Sequence, residues 1–167
     1  MIPEHKVCSL ETSKKLAALG VTKESFWKWW VNDKGECYLR NKAPTDNLED
    51  INEYYMAYDS DEFMAMLPDK IYIRNFKTDS LEGEAYFELI KSLERFRPNY
   101  YERQSEIKYD EQGLYVTNVK DHVTFKTGKV GLYDCNKFAE EKMVEALGGL
   151  LIQLIRDGYV KVEHLNK

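Results

Sequence analysis

Cysteine and histidine, the side chains that most often supply nucleophiles and metal ligands, are few and scattered in this 167-residue sequence. The cysteines are Cys8, Cys37 and Cys135, and the histidines are His5, His122 and His164. Neither a CxxC pair nor an HExxH or GxSxG motif is present, so the common zinc, redox and serine-hydrolase signatures are missing. We therefore predict reduced structural thiols, and we assign no catalytic residue, no metal and no cofactor.

The glycines and carboxylates also lack the spacing of a reactive site. Gly148 and Gly149 lie inside an apolar helical pattern instead of following a strand. That position favours close helix packing or a slight bend over a phosphate-binding loop. Acidic runs such as DSDE and AEEK are typical of helix starts and solvated faces. An enzyme with an unrecognised site therefore ranks third among three hypotheses of function.

Twelve tyrosines make aromatic side chains the more prominent candidates for binding. Tyr and Trp are enriched at protein interfaces, and adjacent tyrosines in a strand must point to opposite faces. We predict that most of these rings complete a small sheet, with a protein-binding surface as the alternative. The rings concerned are Tyr54, Tyr55, Tyr58, Tyr72, Tyr100 and Tyr101.

The segment KKLAALGVTKESFWKWW permits two interpretations. Its glycine turn and short polar run resemble the N-terminal part of winged DNA-binding regulators. Residues 12–31 would then form a helix-turn-helix, with Lys23, Ser25 and Lys28 facing DNA. Against this, the tryptophans of FWKWWV cannot share one buried helix stripe, whereas a strand covered on both faces accommodates them. We favour helix, turn and a short second helix up to residue 25, then a strand from residue 26.

Charge is distributed unevenly along the chain, whose formal net charge is -5. Residues 1–42 contain eight Lys/Arg and five Asp/Glu, and the remainder is strongly acidic. A local basic contact at the N-terminus is therefore compatible with the sequence. The acidic remainder repels nucleic acid, which makes a DNA-binding regulator the second hypothesis instead of the first.

Hydrophobic periodicity and capping residues predict interleaved helices and strands. The first helix begins after Ser9 and ends at Gly20, and a short helical turn capped by Thr22 follows it. A hairpin turns at residues 33–35, where Asn, Asp and Gly cluster. Further strands are predicted at residues 53–58, 71–76, 106–110, 114–119, 123–128 and, at a sheet edge, 159–165.

Three further helices are predicted from caps and apolar stripes. One follows Asp59 or Ser60 and is ended by Pro68. A second covers residues 81–96, behind a capping box formed by Asp79 and Glu82. The third covers residues 136–156 and is ended by Gly158.

These elements predict an α+β fold. Consecutive strands are joined by turns too short for parallel crossovers, so an antiparallel sheet packed by helices is expected. We predict one domain over residues 1–167, in which a small helical lobe (1–25) leads through the helix-turn-helix-like segment into a β-hairpin. Residues 26–167 supply the sheet and its helices.

Three segments resemble small prophage and mobile-element proteins of gut bacteria. They are KVCSLETSKKLAALGVTKESFWKWW, DSDEFMAMLP and FAEEKMVEALGGLLIQLIRDGYV, which together cover about half the chain. The group shares an opening of the form VCSLExxKxLxxLGVxxES, a short helix ending in MLP, and a final helix running into ENG. The block over residues 77–131 is longer than this group leads us to expect. The resemblance implies a phage or prophage origin and carries over no activity and no site residue.

The leading hypothesis is therefore a non-enzymatic, phage-derived protein that binds another macromolecule, with a protein as the partner. No apolar run of signal-peptide type follows the N-terminus, and GGLLIQLI is too short to span a bilayer. We accordingly predict no membrane association and a location in the cytoplasm of a bacterial host cell.

Overall fold

The computed structural model describes residues 4–42, 51–75, 80–102, 107–109, 115–119, 122–125, 131–134 and 136–167. These residues form α-helices and three antiparallel sheets of three strands each. The α+β class predicted from the sequence is thus confirmed. Within the described residues, no helix is long and apolar enough to cross a membrane.

The N-terminal region follows its capping and turn signals. Helix α1 (Leu10–Ala18) is capped by Ser9, whose Oγ accepts a hydrogen bond from the Thr12 backbone N–H, and Gly20, with φ +88°, follows its C-terminal cap. Strands β1 (Lys28–Asn32) and β2 (Cys37–Arg40) form the predicted hairpin, with Gly35 at φ +80° in its turn. Strand β3 (Ile51–Met56) pairs with the other side of β1, so the order is β2-β1-β3.

The next two elements also match their prediction. Helix α2 (Ser60–Met66) begins with a capping box in which Asp59 and Glu62 satisfy each other's backbone N–H groups. Its last turn precedes Pro68, and strand β4 (Lys70–Asn75) follows. A capping box satisfies two of the donors that a helix start leaves unpaired, which is why this short helix can be recognised locally.

The helix predicted for residues 81–96 is wrong, because the chain forms strands β5 (Ser80–Ser92) and β6 (Arg95–Glu102). A spacing of four residues marks one face of a helix but equals two repeats of a strand, so it does not distinguish them. Ala85, Phe87 and Leu89 face the core at the strand period of two. The sheet β4-β5-β6 supplies the pairing that decides the outcome, and Asp79 of the predicted capping box lies outside the described residues.

The later strands β7 (Ile107–Tyr109), β8 (Tyr115–Val119) and β9 (His122–Phe125) form the third sheet, in the positions predicted for three strands. Their pairing is antiparallel, with β8 in the centre. Short connections between them suit antiparallel neighbours, as the sequence indicated.

The C-terminal helix is shorter than predicted, and the predicted edge strand is wrong. Helix α3 (Met143–Arg156) begins at residue 143 because the preceding segment pairs with β6, through two backbone hydrogen bonds between Glu140 and Phe96. Gly158, at φ +80°, ends it as expected. Residues 162–165 then form helix α4 (Val162–Leu165), in which the side chain of Leu165 is buried in the core.

The main core lies between α3, the sheet β4-β5-β6 and helices α1 and α2. Leu147, Leu150, Leu151 and Leu154 of α3 are completely buried, each contributing about 1.5–3 kcal/mol of hydrophobic stabilisation. Gly148 lets α3 approach α1 and α2 closely, as the sequence predicted. A second, smaller cluster lies beneath the N-terminal sheet and consists of Val7, Trp29, Leu39 and Ala57.

Candidate functional site

The segment with helix-turn-helix character contains only one helix. Residues 21–27 are not helical, and Lys28 begins a strand, so no recognition helix forms. The second short helix predicted after Thr22 is therefore wrong. Trp29 explains the extended backbone, because its ring is buried and its Nε1 donates to the Cys8 carbonyl at 2.9 Å.

The structure does not bring the three proposed DNA-contacting residues together on one surface. Ser25 is buried, with its Oγ 3.1 Å from the Ala57 carbonyl oxygen and 3.0 Å from Glu62 Oε2. Lys28 Nζ forms an ion pair with Glu24 at 3.1 Å. Lys23 lines a cleft with residues of the C-terminal segment. The helix-turn-helix alternative thus lacks both its second helix and a common face for its contacts.

A different feature stands out on the outer face of the N-terminal sheet, where three aromatic rings lie side by side. Successive residues of a strand point to opposite faces, so the burial of Trp29 and Val31 turns Trp30 outward. The register places Trp30 directly opposite Tyr38 on β2 and Tyr54 on β3. The Trp30 and Tyr54 ring centroids are 5.0 Å apart. We call Tyr38, Trp30 and Tyr54 the aromatic row.

The two flanking rings of the aromatic row remain open to solvent. Tyr54 is 50% exposed and Tyr38 is 39% exposed, although both are large hydrophobic side chains. Trp30 between them is partly buried. The three rings project from paired strands, and Tyr and Trp side chains have only two χ angles to order. Such a surface offers contact area at low conformational cost.

Charged groups border the aromatic row on both sides. Lys28 lies over the Tyr54 ring, 5.6 Å from its centroid, and Arg40 is its cross-strand neighbour on β2. Glu36 accepts hydrogen bonds from Asn32 Nδ2 and from the Tyr38 hydroxyl, and these bonds hold the pKa of Glu36 below its usual value. The same contact with Glu36 raises the pKa of Tyr38, which therefore keeps its proton at neutral pH.

The indole nitrogen of Trp30 is unusual within the described part of the chain. It is the one buried side-chain nitrogen or oxygen there that has no hydrogen-bond partner. A buried donor without an acceptor costs about 1–3 kcal/mol, so folded proteins rarely retain one. The hydrogen bonding of the fold is thus incomplete at the centre of the aromatic row.

The tyrosines divide between packing and exposure. Tyr58 and Tyr100 are fully buried, and their hydroxyls donate to the carbonyls of Lys23 and Pro68, both at 2.6 Å. Desolvation raises the pKa of both groups. Tyr54 and its neighbour Tyr55 take opposite faces, with Tyr55 against the smaller cluster.

The sequence did not single out Trp30 or Tyr38 as members of a surface. The pairing of Trp30 with Tyr38 could have been predicted, because the hairpin turn at residues 33–35 sets which residues of β1 and β2 face each other. The position of Tyr54 was not accessible in this way, since β3 joins the sheet from further along the chain.

The cysteines and possible metal ligands of the described residues do not form a reactive or metal-binding cluster. Cys8 is a buried free thiol with its Sγ 3.2 Å from Ser13 Oγ, and burial raises its pKa to about 12. Cys37 is a free, exposed thiol, whereas Cys135 lies outside the described residues. No group of three or more His, Cys, Asp or Glu side chains that could hold a metal ion occurs in the part of the chain that the structure describes.

No known protein family, curated protein or solved structure matches this chain. The aromatic row is therefore interpreted from its own geometry and charge.

Proposed function

We propose that this protein acts by binding another protein through the aromatic row and the neighbouring Arg40. The observation that supports the proposal is the alignment of Tyr38, Trp30 and Tyr54 across three neighbouring strands, with the outer two rings exposed. Tyrosine and tryptophan are enriched at interface centres and among hot-spot residues, whose truncation costs about 2 kcal/mol or more of binding free energy.

The charges around the row favour one chemistry for the proposed partner. Arg40 has no ion pair among the described residues, and Lys28 lies above the ring of Tyr54. We therefore propose a partner that presents an apolar or aromatic side chain next to a carboxylate. The apolar side chain would rest on the Trp30 and Tyr54 rings, and the carboxylate would pair with Arg40.

A protein partner is favoured over single-stranded nucleic acid, which also stacks on aromatic rings. A nucleic-acid platform needs unpaired cations along the strand path. Lys28 is already paired with Glu24, and Glu36 lies beside Tyr38, where it would repel phosphates. The net charge of -5 adds to that repulsion.

The phage or prophage origin and the bacterial cytoplasm remain part of the proposal. Both rest on the similarity of three segments of the sequence to prophage and mobile-element proteins. A small binding protein that intercepts a host or phage protein is consistent with that origin and needs no catalytic residues.

Measured affinity for an identified partner tests the proposal. Site-specific photocrosslinking from position 38 in bacterial cells would identify the partner, which would then be purified and titrated by calorimetry. We expect Tyr38→Ala and Tyr54→Ala each to weaken binding by about tenfold or more, the equivalent of 1.4 kcal/mol.

Tyr72→Ala is the matched control, since Tyr72 is 46% exposed but lies on β4 in another sheet. Its affinity for the partner is expected to equal that of the unsubstituted protein. Unchanged affinity in both row variants would refute the proposal. So would tight, salt-dependent binding of oligothymidylate that the row variants abolish, because the row would then serve nucleic acid.

A further inference from the structure

A cleft of about 440 Å³ lies away from the outer face of the N-terminal sheet, at the junction of three chain segments. One segment is the loop after α1, the second joins α2 to β4, and the third joins α3 to α4. Its volume falls within the range of about 300–1,000 Å³ that is typical of small-molecule sites. Its lining comprises Lys23, Ala65, Met66, Pro68, Tyr72, Gly158, Tyr159, Val160, Lys161, His164 and Leu165. We call it the basic cleft.

The ionisable groups of the basic cleft are unlike those of the chain as a whole. Lys23, Lys161 and His164 contribute to the lining, and no aspartate or glutamate does, although the net charge of the protein is -5. The ion pairs of the described residues use other lysines, so Lys23 and Lys161 carry no ion pair there. Two lysines in the lining of one concavity, with no carboxylate residue in that lining, favour the binding of an anion.

The remaining lining of the basic cleft includes five apolar side chains. Met66, Val160 and Leu165 are buried core residues that reach its wall, and Ala65 and Pro68 extend the same surface. Apolar walls with a few convergent polar groups are the usual composition of a ligand site. An inorganic anion would leave the apolar walls without a partner, whereas an anion with an apolar body contacts both kinds of surface.

We propose that the basic cleft binds a small organic carboxylate with an apolar body. The carboxylate pairs with Lys23 and Lys161, next to the His164 imidazole, and the apolar body lies on Met66 and Leu165. This site is independent of the aromatic row, so binding of a carboxylate here does not depend on the proposed protein partner.

Octanoate, octanamide and acetate form a matched set of probes. Octanamide keeps the tail of octanoate without its charge, and acetate keeps the charge without the tail. Titration of ¹⁵N-labelled protein, followed by amide chemical shifts, would measure affinity and location together. We expect saturable shifts with octanoate at residues 65–72 and 158–165. Octanamide and acetate should each bind with an affinity at least about tenfold lower.

The Lys23→Ala/Lys161→Ala variant is expected to lose at least about tenfold in octanoate affinity, because both ion pairs are removed. Lys34→Ala is the control, since Lys34 lies in the β1–β2 turn and outside the cleft lining. Both variants should retain the far-UV circular dichroism of the original protein. Octanamide binding as tightly as octanoate would overturn the proposal, as would undiminished binding by the double variant. Absence of any saturable shift with octanoate in the unsubstituted protein overturns it independently of the variants.

Discussion

The thiol of Cys8 belongs to the main core, where its Sγ lies 3.2 Å from Ser13 Oγ of α1. The backbone around it is fully engaged, since its N–H donates to the Tyr58 carbonyl at 2.8 Å and its own carbonyl accepts from Trp29 Nε1. Desolvation is the largest influence on the thiol and raises its pKa from 9.0 to about 12. Because the thiolate is the reactive species, this cysteine is a packing residue and not a nucleophile.

We predict that Cys8 and Cys37 differ sharply in reactivity toward DTNB in native Cys135→Ser protein at pH 8. Cys37 is exposed and should react at the rate of a free thiol. Cys8 is buried, and its raised pKa leaves little thiolate at pH 8, so it should react only as the protein unfolds. Release of two equivalents of thionitrobenzoate at one fast rate would contradict this assignment.

The raised pKa of Cys8 also has a consequence for stability. Its folded-state pKa exceeds its unfolded value, so the folded protein retains this proton after the unfolded chain has lost it. The contribution of Cys8 to the free energy of unfolding is therefore complete below pH 9 and decreases as the pH rises toward 12. Urea titrations should show that the free energy of unfolding of Cys8→Ala differs less from that of the unsubstituted protein at pH 10.5 than at pH 8.

A tight turn joins strands β5 and β6, and its two residue types are unfavourable for its backbone geometry. Ser92 pairs with Arg95, which leaves Leu93 and Glu94 as a two-residue loop, with φ of 52° and 60°. Two positive φ values are the geometry of a type I′ turn, which favours Asn-Gly over Leu-Glu. Leu93 is also 87% exposed, so its side chain gains little from burial on folding.

Replacing these residues with the preferred pair should therefore stabilise the protein. We expect Leu93→Asn/Glu94→Gly to raise the free energy of unfolding by about 1–2 kcal/mol, since left-handed backbone strain is relieved at two positions. Urea denaturation followed by circular dichroism measures the change. Leu93→Asn alone provides the comparison and should give part of the gain, whereas a loss of stability in the double variant would show that the turn has another geometry.

Packing around α3 depends on how closely three helices approach. A Cβ at Gly148 would lie 3.0 Å from Thr12 Cγ2 and 3.1 Å from Phe63 Cζ, side chains of α1 and α2 that are themselves buried. A Cβ at Gly149 would lie 3.5 Å from Phe138 Cδ1, an ordinary van der Waals distance. The two adjacent glycines therefore have different roles, and only the first is required for the helices to meet.

Alanine substitutions should separate these two glycines by the sign of their effect. Gly149→Ala gains helix propensity without a clash and should stabilise the protein by about 0.5–1 kcal/mol. Gly148→Ala gains the same propensity but overpacks the core, for a net destabilisation of about 1 kcal/mol or more. Thermal and urea unfolding would measure both. Equal stabilisation by the two substitutions would mean that α1 and α2 can move away from α3 at little cost.

Features with local causes were predictable from the sequence alone. The caps at Ser9 and Asp59 and the helix stops at Gly20 and Gly158 depend on unpaired backbone groups or positive φ within a few residues. The hairpin turn before β2 has the same local character. These signals, with the apolar stripe of α3, were sufficient for the α+β class.

Features that depend on distant partners were decided only by the tertiary structure. Residues 80–92 carry a spacing of four that suits a helix or a strand, and pairing with both β4 and β6 makes them a strand. Residues 162–165 form a helix because Leu165 can reach the core from there. The aromatic row and the basic cleft each join segments far apart in the chain, and spatial register and packing, which no local pattern encodes, set their composition.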